Sequence, residues 1–141
     1  MQSFKKWGIF GIIAVVVLLF LGLLIYSETT QTPFTYEYDA PIGGIIITGH
    51  TGNSSQIEIP RRINRRSVVR IEDEAFANNQ LVSVVMPDSV THIGDWAFVN
   101  NQLESVTIGH SVTNIGSFAF RGNPLDEETR ASILAINSAG Y

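Results

Sequence analysis

Cysteine is absent from this chain of 141 residues. That excludes disulfides, thiol chemistry and a lipid-modified cysteine. The fold must therefore be held by packing and backbone ladders alone. Charge is absent between Lys6 and Glu28. Positive charge is scarce beyond that point: Arg61, Arg62, Arg65, Arg66, Arg70, Arg121 and Arg130 stand against thirteen acidic residues, so seven cations and thirteen anions leave −6. A mildly acidic segment argues against nucleic acid as a partner. No G-x-S-x-G occurs, and no histidine is paired in a motif with a plausible nucleophile. The stretch GHTGNS at 49–54 lacks the lysine of a phosphate loop. Neither catalysis nor a cofactor is expected.

The uncharged stretch is itself informative. Residues 8–26, GIFGIIAVVVLLFLGLLIY, would span a hydrocarbon core of about 30 Å as a helix at about 1.5 Å per residue. The run has no polar stripe, as a helix buried in a soluble domain would. A cleaved signal peptide would have an apolar region of about 7–15 residues and a small-x-small site, which LIYSE at 24–28 does not offer. Lys5 and Lys6 precede the run and all the acids follow it. The positive-inside rule then places residues 1–7 in the cytoplasm, 8–26 as a single-pass signal anchor, and the rest outside. Trp7 and Tyr26 mark the two ends.

What the remainder has in abundance is repetition. Ile71, Ile93 and Ile115 are spaced by 22 residues; so are Ala75, Ala97 and Ala119, Phe76, Phe98 and Phe120, Asn79, Asn101 and Asn123, and Leu81, Leu103 and Leu125. A fixed period of this size signals a solenoid whose coils cannot bury their apolar sides alone. Within one unit, Leu81, Val84 and Met86 point inward on a short strand with Val85 outward. Pro87 and Asp88 turn the chain. A second extended run buries Val90 and Ile93, and a helical turn at GDWAF (94–98) drops Ala97 and Phe98 into the core. Ile57 and Ile59 match Val84 and Met86 at 27 residues rather than 22, so 61–66 carries a five-residue insertion. Asp126, Glu127 and Glu128 open a helix running to 137, with Ile133, Leu134 and Ile136 as its apolar side.

The units VVRIEDEAFANNQLVSVVMPDSVTHIGDWAFVNNQLESVTIGHSVTNIGSFAFRGNPL resemble the BspA-like class of bacterial leucine-rich repeats, over roughly 44–125. The resemblance implies a leucine-rich-repeat β-solenoid, here of about three coils, displayed or secreted at the cell surface and binding host or neighbouring-cell proteins. The class is defined by shape, so it assigns no functional residue. Larger members have many more coils, and three give only a small face. The organisation expected is residues 27–43 as juxtamembrane linker and N-terminal β cap, 44–125 as repeats, and 126–141 as C-terminal capping helix and tail.

On the strand face, Gln56, Glu58, Ser83, Val85, Ser105 and Thr107 should point outward. They are small and mostly uncharged, which suits a shallow protein contact and equally a solvated sheet. Arg61, Arg62, Arg65 and Arg66 form the sharpest charge feature, either a patch for an acidic partner at the edge of that face or a solvated insertion. Glu72, Asp73 and Glu74 align with Gly94-Asp95-Trp96 and Gly116-Ser117-Phe118. No carboxylate cluster stacks, and placement at the start of a helical turn explains them better than a metal does. His50, His92 and His110 occupy three different repeat positions, and no metal is expected there. Trp96 and Phe118 share one position, for packing on a half-buried convex surface or for recognition. Asn53-Ser54-Ser55 has the pattern of a glycosylation sequon and is expected to be unused. The reading is a membrane-anchored, extracytoplasmic, non-catalytic protein-interaction module binding a host, neighbouring-cell or envelope protein. The alternative is a structural envelope component or spacer.

Overall fold

The structure, a computed structural model, describes residues 13–17, 24–28 and 32–139. It divides into two units, Met1–Thr32 and Pro33–Tyr141. In the first, β1 (Ile13–Val17) and β2 (Leu24–Glu28) pair antiparallel, with Val15 opposite Tyr26. The anchor helix expected over 8–26 lies mostly outside the described residues, and the parts described are extended. That suits β-branched Val15, Val16 and Val17. Among the described residues no helix is long and apolar enough to cross a membrane.

The second unit is a solenoid. It opens with a hairpin of β3 (Phe34–Asp39) and β4 (Gly44–His50). Asp39 closes the turn by accepting the Ile42 N–H at 3.1 Å, and Gly43 takes a φ of 74° that other residues resist. The chain then winds through β5 (Gln56–Glu58), β6 (Arg62–Ile63), β7 (Arg66–Ile71), β8 (Ser83–Val85), β9 (His92–Ile93), β10 (Ser105–Thr107) and β11 (Asn114–Ile115). It ends in α1 (Glu127–Ala139). The 22-residue period becomes coil-to-coil register. One parallel sheet has the order β10-β8-β5, and the other runs β11-β9-β7-β4, with β3 antiparallel at its edge.

The third side of each coil is not the helical turn expected from the sequence. Glu74, Trp96 and Phe118 have φ of 57°, 52° and 57°, in the left-handed region that bulky residues rarely enter. Three-residue turns close locally, as Ala77 N–H donates to Glu74 O at 3.0 Å. Alternate N–H groups instead reach the next coil: Glu74 to Asp95 O, Phe76 to Ala97 O and Asn78 to Val99 O. A helical turn would keep these donors inside one coil. The observed path spends them between coils, so the stack is laddered on all three sides.

Inside, Phe76, Phe98 and Phe120 lie face to face, with ring centroids 4.9 and 5.2 Å apart and planes within 3°. Ala75, Ala97 and Ala119 are buried beside them, small enough to let coils approach. Asn101 is 6% exposed and binds backbone rather than a partner side chain. Its Oδ1 accepts the N–H of Asn79 and Leu81, both at 3.0 Å, and its Nδ2 donates to Phe76 O and Phe98 O at 2.8 and 2.9 Å. Asn123 repeats most of the arrangement one coil later, accepting the Leu103 N–H at 3.0 Å and donating to Phe98 O and Phe120 O.

Helix α1 closes the far end. Asp126 caps it by accepting the Thr129 N–H at 2.8 Å. That carboxyl is held below its usual pKa by the Thr129 hydroxyl and backbone N–H. Thr129, itself buried, takes the Val106 N–H at 3.3 Å, and Asp126 N–H reaches Glu104 O at 2.8 Å. The edge of the first sheet is thus covered. Ile133 and Ile136 pack on the core as expected, but Leu134 does not: it is 68% exposed, because the helix presents a narrow stripe and residue 134 falls past its border.

Candidate functional site

The strand face follows from the register of the first sheet. Gln56, Ser83 and Ser105 are paired across it, and so are Glu58, Val85 and Thr107. Between the two rows Ile57, Val84 and Val106 point into the core. At a spacing of about 4.8 Å per strand, each row extends roughly 10 Å. Five of its six side chains are exposed and Ser83 is half-buried; Val85 is 39% exposed. Glu58 carries the sole charge of the six. The surface that the two rows present is small and carries a single charge.

The arginines do not join that face as one group. The insertion at 61–66 folds as a hairpin in which β6 pairs antiparallel with the start of β7, Arg62 opposite Ser67 and Ile63 opposite Arg66. Asn64 and Arg65 form its two-residue turn with φ of 50° and 66°, the geometry that matches strand twist. Arg61 stays at the corner after β5, where its carbonyl accepts the Val68 N–H at 3.0 Å and the Ser89 hydroxyl at 3.2 Å. Arg66 is tied elsewhere. Its guanidinium lies 3.9 Å over the Tyr38 ring, and Asn64 Nδ2 donates to the Tyr36 hydroxyl at 2.9 Å. Both tyrosines belong to β3, the terminal strand of the other sheet.

The triplet 72–74 has a backbone role. Asp73 Oδ1 accepts the Asp95 N–H at 2.8 Å, and Asp95 Oδ1 accepts the Ser117 N–H at 2.6 Å. Asp73 and Asp95 do share one column, and they serve there as links between coils. Among the described residues no group of three histidines and carboxylates stands together as a metal site.

A link missed by the sequence reading joins Asp88 to His110. Asp88 Oδ1 accepts the His110 N–H at 2.8 Å and lies 3.1 Å from its Nδ1. The His110 backbone N–H, then its ring, holds the Asp88 carboxyl below the usual carboxylate range, and the charge of Arg61 adds to this. The 22-residue spacing of 88 and 110 was the available signal. Trp96 and Phe118 stack at 6.3 Å and 17°, 41% and 56% exposed. Arg121 sits 5.3 Å over Phe118, so this pair is more open than the packing role expected of it.

His50 ends the aromatic column, 6.1 Å from Phe76 and 5.7 Å from Phe34. Burial pushes its pKa below the ordinary histidine value, offset in part by Asn79. The neutral ring is the form the folded state prefers. The unfolded chain therefore binds more protons as pH falls through about 6.5. The stability linked to His50 is present above that pH and is lost as pH drops toward the folded pKa. The urea midpoint should fall between pH 7.5 and 5.5, and His50→Phe should flatten that part of the profile; an equal slope in both would exclude His50 as its source.

Known proteins share this arrangement. Residues 50–136 match the model of the BspA type leucine rich repeat region, in six copies. The chain is similar to the leucine rich repeat protein of T. pallidum at 31% identity and a TM-score of 0.63, covering 68% of this chain and 46% of that one. It is similar to a leucine rich cell surface protein of Faecalibacterium prausnitzii at 35% identity and a TM-score of 0.59, covering 66% and 27% respectively. A leucine-rich repeat protein of Bacteroides capillosus, 24% identical with a TM-score of 0.59, shares the fold over 70% of this chain and 87% of its own. The chain spans less than half the length of the first two. No curated protein matches it.

Proposed function

This chain belongs to the BspA-type family of bacterial leucine-rich repeats, and from that premise we propose that it is a non-catalytic protein-binding module held at the outer side of a membrane. The observation that carries the binding reading is the strand-face register. It sets Glu58, Val85 and Thr107 in one exposed row beside Gln56, Ser83 and Ser105. A surface of this kind offers a partner a rigid template with little ordering cost. The partner is a host, neighbouring-cell or envelope protein, and Arg61 at the corner would steer an acidic one.

The anchor reading rests on the apolar run at 8–26. Two short strands in lipid would leave their outer edges without hydrogen-bond partners, whereas one helix satisfies its own backbone. Lys5 and Lys6 on one side and the acids on the other give the orientation. The Faecalibacterium relative is described as a cell surface protein, and the same placement is proposed here.

Val85→Lys combined with Thr107→Lys tests the binding face. Both side chains are exposed, so the denaturation midpoint should stay put. Capture of a partner from envelope or host extracts by the Pro33–Tyr141 unit should be lost. Capture that survives the double change would move the site off the strand face, with Trp96 and Phe118 as the next surface to alter. If the wild-type unit captures nothing, the spacer role takes the place of binding.

A further inference from the structure

The first end of the solenoid carries a surface that the strand face does not use. There β3 meets the β6–β7 hairpin. Tyr36 and Tyr38 lie two residues apart on one face of β3, 37% and 44% exposed, and Ile42 in the following turn is 53% exposed. Asn64 and Arg66 reach back onto the two rings. Ile63, 3% exposed, pins the hairpin to the core, and the tight turn at Asn64 and Arg65 leaves it little freedom. The backbone that carries the arginines is thus held in place by the turn and by Ile63.

Four of the chain's seven arginines fall within 61–66. Among the described residues none of the four forms an ion pair with a carboxylate. The nearby acids are otherwise engaged: Asp39 accepts the Ile42 N–H, and Asp88 accepts from His110. Glu37 alternates to the opposite face of β3 from the tyrosines. Arginines that merely balanced an acidic surface would sit beside its acids. Arg61 acts on Asp88 by its charge, whereas the hairpin that carries Arg62, Arg65 and Arg66 stands against the exposed tyrosines. Guanidinium groups bind phosphate in a bidentate way, and tyrosine favours the boundary between headgroups and water.

We propose that this end of the unit rests on the anionic phosphate surface of a bilayer, with Arg62, Arg65 and Arg66 taking headgroup phosphates and Tyr36, Tyr38 and Ile42 at the interface. The proposal rests on the anchor reading for its choice of occupant. In sequence, only seven residues (27–33) lie between the apolar run and β3, and seven residues can reach at most about 25 Å. The strand under the hairpin is the element that this short tether enters.

Among the described residues the buried core lies within the Pro33–Tyr141 unit, so that unit can be tested without the run. It should sediment with vesicles of phosphatidylcholine mixed with phosphatidylglycerol, stay in solution with phosphatidylcholine alone, and be released by salt. Arg62→Glu with Arg65→Glu should weaken vesicle binding by about twenty-five-fold or more, roughly five-fold for each cation lost, with an unchanged urea midpoint. Equal binding to both vesicle types, or to neither, overturns the proposal. So does capture of soluble polyphosphate without vesicle binding, which would assign the hairpin to a free polyanion. The anchor is read separately on the full chain, by its retention in alkali-washed membranes. Release there would remove the anchor and leave the measured affinity of the hairpin standing.

Discussion

Phe98→Ala is expected to remove a large part of the repeat unit's stability and to lower its urea midpoint sharply. The Phe98 ring is fully buried, and it has a parallel ring on each side, Phe76 at 4.9 Å and Phe120 at 5.2 Å. No neighbour can close the gap, because both flanking rings are fixed by their own coils. Phe→Ala at such a site costs about 3–5 kcal/mol. A domain of this size has about 5–15 kcal/mol in total, here with no disulfide to add to it. Urea titration of the Pro33–Tyr141 unit, followed by far-UV circular dichroism, gives the comparison. Phe118→Ala, at a ring 56% exposed, should shift the midpoint little. Similar midpoints for Phe98→Ala and the wild type would show that the column of rings is not the core of the stack.

Asn101→Leu should come close in effect, for a different reason. Leucine has nearly the same size and is more apolar, so packing alone would favour it. The side-chain amide, however, satisfies two backbone N–H groups and two carbonyls from two adjacent coils. A buried polar group left bare costs about 1–3 kcal/mol, and the loss here should be on the order of 3–5 kcal/mol once some relaxation is allowed. Asn123→Leu is the control. That residue is only half-buried and lies at the open end of the column, where water can replace the lost partners, so the change should be much smaller. Equal losses at the two positions would mean that burial of the amide is not what matters.

These two residues also show how far the fold was legible beforehand. Period and hydrophobicity were enough for the core: Val84, Met86, Val90, Ile93, Ala97 and Phe98 are buried as the phasing required. They also sufficed for the outward rows, since one strand register fixes both faces. The asparagines were visibly in phase, but their role depends on where an amide points, which no pattern records. The third side was misread because Glu74, Trp96 and Phe118 are poor markers of a left-handed backbone, for which Gly or Asn is the usual sign. The insertion at 61–66 was countable, yet its fold as a hairpin was hidden. Asn64-Arg65 lacks the glycine that signals a two-residue turn, and the anchoring residue Ile63 stands alone among arginines. The candidate surface was legible in its rows and not in its ends. The union of β3 with the hairpin joins Tyr36 to Asn64 and Tyr38 to Arg66 across 28 residues, a distance unrelated to the period.

The lateral bonds of the stack have a consequence at the level of heredity. Each coil satisfies its neighbours through groups that recur at the same offset: the paired strands, the alternate N–H groups of the third side, and the amide of Asn101 or Asn123. A duplicated stretch of 22 codons, inserted in phase, would meet every donor and acceptor it needs and hand the same set onward. The gene can therefore change the length of the exposed face in whole steps, by slippage or unequal exchange between its own copies, without any new solution to the folding problem. Both terminal structures, the β3–β4 hairpin and α1, would remain as they are while the number of turns between them is counted up or down.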